Sequence, residues 1–353
     1  MKDILAEITH WHERGDRIAV ASVVDVQRSA PRAPGAKMAV NERGEIVGGV
    51  SGGCVEGAVV EIADQVMGGA GPQLVHFGIA DSDAWDVGLP CGGEIDVWVQ
   101  LYEPGGRFEQ VARAGGRAAE VTLLEGARPG AKLLVEADGA RSGSLGAPEL
   151  DDEAARAAGE LIWADTSERR GALFIDVVAP APRLILFGAV DIAAPLCTLA
   201  KTIGWRPYVV DPRGRFATEV RFPDAEEVVA AWPEEAFARI GGIDPATSIV
   251  VLTHDPKLDD AALTIALRSS AGFVGAMGSR RAQAARRERL MAAGIGEEEL
   301  VRLSAPVGLD LGAIGRQETA LSILAEVVAA RHGRDGGRLA PGAGRIHQVP
   351  AAG

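Results

Sequence analysis

The chain has 353 residues, 47% of them hydrophobic and 24% charged, the balance of a globular protein long enough for two or three domains. A formal net charge of −13 repels nucleic acid and anionic membrane surfaces, and the scarcity of aromatic residues leaves few base-stacking platforms, so no nucleic-acid partner is expected. Three cysteines, Cys54, Cys91 and Cys197, form no Cys-x-x-Cys pair, which argues against a structural metal site.

In chain order, Ile18–Val26, Ala36–Val40 and Glu45–Val50 read as short strands between glycine turns. A helix is predicted from Cys54 to Met67, with Val55, Ala58, Val59, Ile62, Ala63 and Val66 at helical spacing, stopped by Gly68 and Gly69. Strands are expected at Leu74–Ile79 and Glu94–Leu101, then at Val121–Leu124, Lys132–Ala137 and Ala172–Val178, with a helix over Asp151–Leu161. Residues 105–180 show no separate hydrophobic core in their pattern and are assigned to the first domain. Ala179 to Pro182 is a proline-rich hinge of the kind that separates folding units.

Beyond the hinge the pattern becomes strand–turn–helix. Leu184–Phe187 is a continuous apolar strand, followed by the helix Ile192–Ile203 with Pro195 in its first turn. Tyr208–Asp211, Ser248–Leu252 and Gly272–Ala276 are further strands, the last two followed by helices Leu258–Arg268 and Ser279–Ala293. An amphipathic helix covers Gln317 to Arg331, and from His332 the chain is rich in Gly, Pro and Arg and reads as a flexible tail. The expected fold is α/β: a mixed α+β domain over residues 1–180, then a Rossmann-like doubly wound parallel sheet over 181–331, then the tail 332–353. Acids and histidines occupy the N-terminal stretch where a signal peptide needs an apolar core. The longest apolar run, Leu184–Ala200, is broken by Asp191 and Pro195, so no membrane span is expected and the reading is cytoplasmic.

Chemistry is expected in glycine-lined turns. Gly52 and Gly53 let the backbone turn sharply before Cys54, which then opens a helix whose dipole and unpaired N–H groups favour a thiolate. Arg28, Arg32 and Lys37 are placed to pair with an anion there. Cys91, followed by Gly92 and Gly93, repeats the arrangement in mirror order, and two such thiols suit a soft ligand such as a dithiolene or persulfide sulfur. A packed cysteine is the competing reading for both thiols, and Cys197, on the apolar side of a helix, is expected to be core. Ser279 is a helix cap beside Gly278, and Arg280 and Arg281 follow it, which reads as a phosphate or pterin-phosphate cradle, with an ordinary cap and a solvated arginine pair as the competing reading. His254 and Asp255 read as a turn histidine and a capping acid, with a metal site formed by these two and Asp259 as the alternative.

The turn Gly188-Ala189-Val190-Asp191 matches the dinucleotide fingerprint only in part, because valine stands where a glycine admits pyrophosphate. Asp211 lies 23 residues beyond Gly188, where an acid binds a ribose hydroxyl, and a strand-end turn residue is the equal alternative. NAD(P) in the usual pose is therefore not expected.

Taken together, the motifs resemble the XdhC/CoxI family. The residues that carry the likeness are Ser29 to Arg32 with Gly35 to Lys37, Gly52 to Glu56, Cys91 to Gly93, Leu252 to Asp255, Gly275 to Arg281, Ala305 to Asp310, and Glu318 through Glu326. The resemblance implies an accessory factor to xanthine dehydrogenase, carbon monoxide dehydrogenase and related molybdenum hydroxylases, acting as a chaperone more than as an enzyme. It implies binding of the molybdenum cofactor (molybdopterin), sulfuration by a cysteine desulfurase, transfer to the hydroxylase apoenzyme, and a homodimer. Cys54 is the cofactor contact it implies. Where the family commonly has Gly-Ala-Gly-His in the Rossmann turn, this chain has Gly188 to Asp191 with valine and aspartate. A nicotinamide-dependent oxidoreductase and a persulfide relay through Cys54 and Cys91 are the alternatives.

Overall fold

A computed structural model of the chain describes residues 1–28, 31–78 and 93–341. The chain divides into two units, Met1–Pro180 and Ala181–Gly353.

The first unit holds two five-stranded antiparallel sheets. In the first sheet the strand order is Ile46–Gly48, Lys37–Asn41, Ile18–Gln27, Glu94–Leu101, Gln73–Phe77. Side chains alternate across the central strand. Ala19, Ala21 and Val23 face the helix Glu56–Met67, which offers Val59, Ala63, Val66 and Met67. On the other face, Val20 joins Leu134 and Val178 of the second sheet in one cluster, and Val24 with Trp98 joins Leu124 and Phe174 in another. Both faces are covered, which is why Ile18 to Val24 is apolar on both faces save for Ser22, which accepts from Lys37.

The second sheet runs Arg141–Gly143, Lys132–Glu136, Ala118–Leu123, Leu173–Val178, Glu168–Arg170. It carries the helix Pro148–Ala164 on its outer face. The expectation that residues 105–180 lack a core of their own is corrected here: Val121, Leu133, Val135, Leu161 and Ile175 form one. Its helix was hard to weigh in the sequence because Ala154, Ala155, Ala157 and Ala158 make much of the buried face. Alanine buries little area per residue, so the amphipathic signal is weak.

The two sheets are copies of one design. Each runs strand–strand–strand–helix–strand–strand, and each is ordered third, second, first, fifth, fourth. From Gly35 to Val75 the correspondence is an ungapped displacement of 95 residues, taking Gly35 to Gly130, Lys37 to Lys132, Gly48 to Gly143 and Glu56 to Asp151. The register agrees: Met38 pairs with Gly48 in one copy and Leu133 with Gly143 in the other. In both, the glycine has a positive φ, +78° and +88°, and a Cβ would meet the carbonyl oxygen of Lys37 or Lys132 at 2.2 and 2.4 Å. The connection between the first two strands is longer in the first copy, where Arg28 to Arg32 lie.

The second unit is a six-stranded parallel sheet ordered Glu227–Val229, Arg206–Val210, Arg183–Phe187, Thr247–Val251, Phe273–Ala276, Leu303–Ser304. Helices Ala193–Thr202 and Arg316–Arg331 cover one face, and Pro233–Ile240, Pro256–Arg268 and Arg280–Ala292 the other. This is the α/β architecture expected from the alternating strands and helices. The strand order reverses between Arg183–Phe187 and Thr247–Val251, so the loops after these strands border the crevice where such sheets bind ligands. Among the described residues no helix is long and apolar enough to cross a membrane.

Candidate functional site

The loop before helix Glu56–Met67 is shaped by one carboxylate. Glu56 Oε1 accepts the backbone N–H of Val50, Ser51 and Gly52 at 3.1, 2.8 and 3.0 Å. Its Oε2 accepts from Gly53 N at 2.8 Å and from the Ser51 hydroxyl. The Ser51 Oγ in turn accepts the N–H of Cys54 and Val55, each at 3.0 Å. Burial opposes the charge on Glu56, but the Ser51 hydroxyl and the backbone donors outweigh it and hold the carboxyl down at about 2.

This alters the basis on which Cys54 was singled out. The helix starts at Glu56, not at Cys54, and the N–H groups taken as free for a thiolate are given to Glu56 and Ser51. Cys54 is half-buried beside the helix core, while a Cβ on Gly53 would meet nothing within 4 Å and one on Gly52 only Pro31, at 3.7 Å. Cys54 therefore follows a glycine pair, and the space that side chains on Gly52 and Gly53 would fill is open. Arg32 is exposed near this loop's neighbour Pro31, whereas Arg28 pairs with Glu94 at 3.6 Å. Lys37 is not available to a ligand: its Nζ lies 2.7 Å from Asp176 Oδ2 and donates to Ser22 Oγ at 2.9 Å, with the side chain only 6% exposed. Cys91, together with Ser29 and Ala30, lies outside the described residues. Burial pushes the Cys197 thiol up to about 12, so it is an inert core group.

Glu56, Ser51 and Asp176 were not singled out in the sequence. Glu56 carried a legible signal, an acid at the start of a helix behind a Ser-Gly-Gly loop, where it meets unpaired N–H groups and the positive end of the helix dipole. Asp176 carried none.

In the second unit, Asp211 is fully buried and spoken for. Its Oδ2 accepts Ala189 N at 2.9 Å, and its Oδ1 accepts the backbone N–H and Nε of Arg213, both at 2.9 Å. Burial alone would raise this carboxyl, but Arg213 and the two N–H donors hold it below the usual range. The acid thus ties down the Gly188 turn from inside. Gly188 has a φ of +121°, and Thr253 Cγ2 lies 2.4 Å from where its Cβ would stand, so Thr253 closes on the turn.

Across the crevice, Ser279 caps helix Arg280–Ala292 by accepting Ala282 N at 3.2 Å, and Arg280 and Arg281 are exposed beside it. Gly278, with φ +137°, carries the chain into the cap. Beneath this end lies a buried pair that the sequence did not reveal. Arg286 NH2 donates to Asp259 Oδ2 at 2.9 Å, and its NH1 donates to the Met277 carbonyl at 3.1 Å. Burial pushes the Asp259 carboxyl up, against the pull of Thr253 and Arg286. Asp255 is the cap of helix Pro256–Arg268, accepting Lys257 N at 3.0 Å, as its position in the sequence led us to expect. Among the described residues no three His, Cys, Asp or Glu side chains gather as a metal site.

Comparison with known proteins follows the same division. Residues 11–78 and 111–171 match the XdhC and CoxI family, and residues 184–327 match the XdhC Rossmann domain. The chain belongs to the XdhC/CoxI family. The two stretches of the family match fall on the two copies of the duplicated fold. The chain is 28% identical to a Bacillus subtilis protein named as a probable subunit of xanthine dehydrogenase, over 90% of this chain and 94% of that protein. It is 27% identical to the molybdenum cofactor insertion chaperone PaoD of Escherichia coli, over 90% of this chain and 84% of that one. A crystal structure described as a xanthine dehydrogenase from Bacillus halodurans superposes with a TM-score of 0.64 at 25% identity, covering 95% of this chain and 97% of its own.

Proposed function

We propose that this XdhC/CoxI protein is an accessory factor that binds molybdenum cofactor and supports its sulfuration and its insertion into a xanthine dehydrogenase- or carbon monoxide dehydrogenase-type hydroxylase. The observation that carries the reading is the likeness, along 90% of the chain, to a protein named as a molybdenum cofactor insertion chaperone. The residues fit such a ligand. Cys54 is a soft donor after a glycine pair whose side-chain space is open, which suits a molybdenum–dithiolene group. Arg32 is an exposed cation on the neighbouring loop. In the second unit, Gly278, Ser279, Arg280 and Arg281 offer a helix N-terminus and two guanidinium groups for a phosphate. The cofactor brings the redox-active metal, and the chain's part is to hold it, exclude competing ligands and release it to the apoenzyme. A cysteine desulfurase and the hydroxylase apoenzyme are the proposed partners.

The test is retention. Purified protein mixed anaerobically with molybdopterin is passed through a desalting column, and bound pterin is read by fluorescence after oxidation. The wild type is expected to carry pterin through, Cys54→Ala to carry much less, and Arg280→Ala/Arg281→Ala to carry less at low salt, with the difference from wild type shrinking as salt is raised. Equal retention by Cys54→Ala removes Cys54 as the contact, and no retention by the wild type removes the cofactor reading.

A further inference from the structure

We propose that Lys37 and Asp176 are a positioning pair, through which the second copy of the duplicated fold holds the first copy's cysteine loop in place. The proposal rests on the reading that Cys54 meets the cofactor, and its test is built to fail separately from that reading.

Lys37 works on two sides. Its ammonium lies 2.7 Å from Asp176 Oδ2, the two side chains being 6% and 8% exposed. Its carbonyl accepts the N–H of Gly49 at 2.9 Å and sits directly beneath Gly48, the residues that open the cysteine loop. Glu56 gathers the rest of that loop from Val50 to Gly53. A chain of contacts thus runs from Asp176 through Lys37 to the loop that bears Cys54. Ser167 of the second copy adds to the hold: its Oγ donates to Asp176 Oδ1 at 3.2 Å and lies 2.7 Å from where a Cβ on Gly35 would stand.

The internal duplication supplies its own control. Register makes Gln100 the counterpart of Asp176, because Val20 pairs with Gln100 where Glu120 pairs with Asp176. Lys132, the counterpart of Lys37, therefore faces no acid from the other copy at that position. It pairs within its own copy instead, with Glu120 at 3.1 Å, and is 30% exposed. Both lysines, with Gln100 and Glu120, line one cleft of about 310 Å³. The frame is symmetric and the charges at these two positions are not: Lys37 pairs with an acid of the other copy, Lys132 with one of its own, and the further pair that joins the copies, Arg169 with Asp96 at 2.6 Å, touches neither lysine. Buried ion pairs add little net stability over apolar residues of equal volume, and their best-attested use is to fix register. Holding the loop is such a use.

The experiment uses the full-length protein. Lys37→Met/Asp176→Leu removes both charges of the pair together, so that neither is stranded by loss of the other and the nearby Met1 ammonium loses a repulsion along with an attraction, and Glu120→Leu/Lys132→Met is the matched change in the other copy. Three readouts are taken: thermal midpoint, iodoacetamide alkylation rate at Cys54 by peptide mass spectrometry, and molybdopterin retention. The first variant is expected to stay folded while alkylation at Cys54 shifts and retention falls, each by about tenfold, as when a supporting partner of a ligand-bearing residue is lost. The matched variant is expected to change neither. Unaltered alkylation and retention in a folded Lys37→Met/Asp176→Leu protein overturns the proposal, as does an equal change in the matched variant. Should the double variant not fold, Lys37→Gln/Asp176→Asn, which keeps two polar side chains of similar size and leaves no charge stranded, is read in the same way, with the same two results deciding. If the wild type retains no molybdopterin, the cofactor reading fails, and the alkylation rates still decide the pair.

Discussion

The Glu56 carboxylate embraces Ser51, accepting its backbone N–H at 2.8 Å on one oxygen and its hydroxyl on the other. Because the folded carboxyl titrates at about 2 instead of the ordinary 4.5, its contribution is fully present above pH 4.5 and is lost as the pH falls towards 2. Hydrogen exchange at Gly52 and Gly53, corrected for intrinsic rates, is expected to accelerate through that window. Glu56→Gln is expected to show the faster exchange already at pH 7, with a stability loss of about 1–2 kcal/mol after solvent screening. Protection that stays constant from pH 5 to 2 in the wild type refutes the clamp.

Gly48 and Gly143 are predicted to be irreplaceable in the same way. An added Cβ meets a carbonyl oxygen at 2.2 Å in the first and 2.4 Å in the second, at positive φ in both. Gly48→Ala and Gly143→Ala are each expected to lose about 2–5 kcal/mol in urea unfolding, from strain plus overpacking. Gly44, with φ +78° and nothing within 4 Å, is the control, and its alanine variant is expected to lose about 1–2 kcal/mol.

Arg286 and Asp259 are both nearly inaccessible, at 3% and 1% exposure. Arg286→Met strands the acid and is expected to cost about 3–5 kcal/mol, measured by thermal or urea denaturation. Arg286→Met/Asp259→Leu is expected to recover most of that loss. A double variant as unstable as the single one would mean that the guanidinium matters chiefly through the Met277 carbonyl it also binds.

NAD and NADP are expected to give no binding heat at millimolar concentration in calorimetry. The acid that would take the ribose hydroxyls, Asp211, has its oxygens occupied by Ala189 and Arg213. Saturable heat from either dinucleotide contradicts this, and Asp211→Asn would then show whether the acid is involved.

The second unit was legible because its central strands are buried on both faces, so Leu184 to Phe187 and Ile249 to Leu252 stand out as unbroken apolar runs. Its edge strands Glu227–Val229 and Leu303–Ser304 escaped, being too short to leave a pattern. The cap at Ser279 could be read because capping is local. Lys37 could not be read correctly: a lysine after a glycine turn looks like a free cation until Asp176, far along the chain, is seen beside it. The duplication was hidden for a similar reason. What repeats is backbone geometry and the spacing of glycines, while the buried side chains differ in size from copy to copy, as Val59 and Ala154 do.

A dimer of identical chains must make each contact twice, so neither partner can change without changing the other. Two halves written separately into one polypeptide escape that bond. Gln100 and Asp176 occupy like positions, yet each is free to mutate alone, and the tether keeps the halves together at any dilution. One half carries Cys54 where its twin carries Glu149, a difference closed to an assembly of equal protomers.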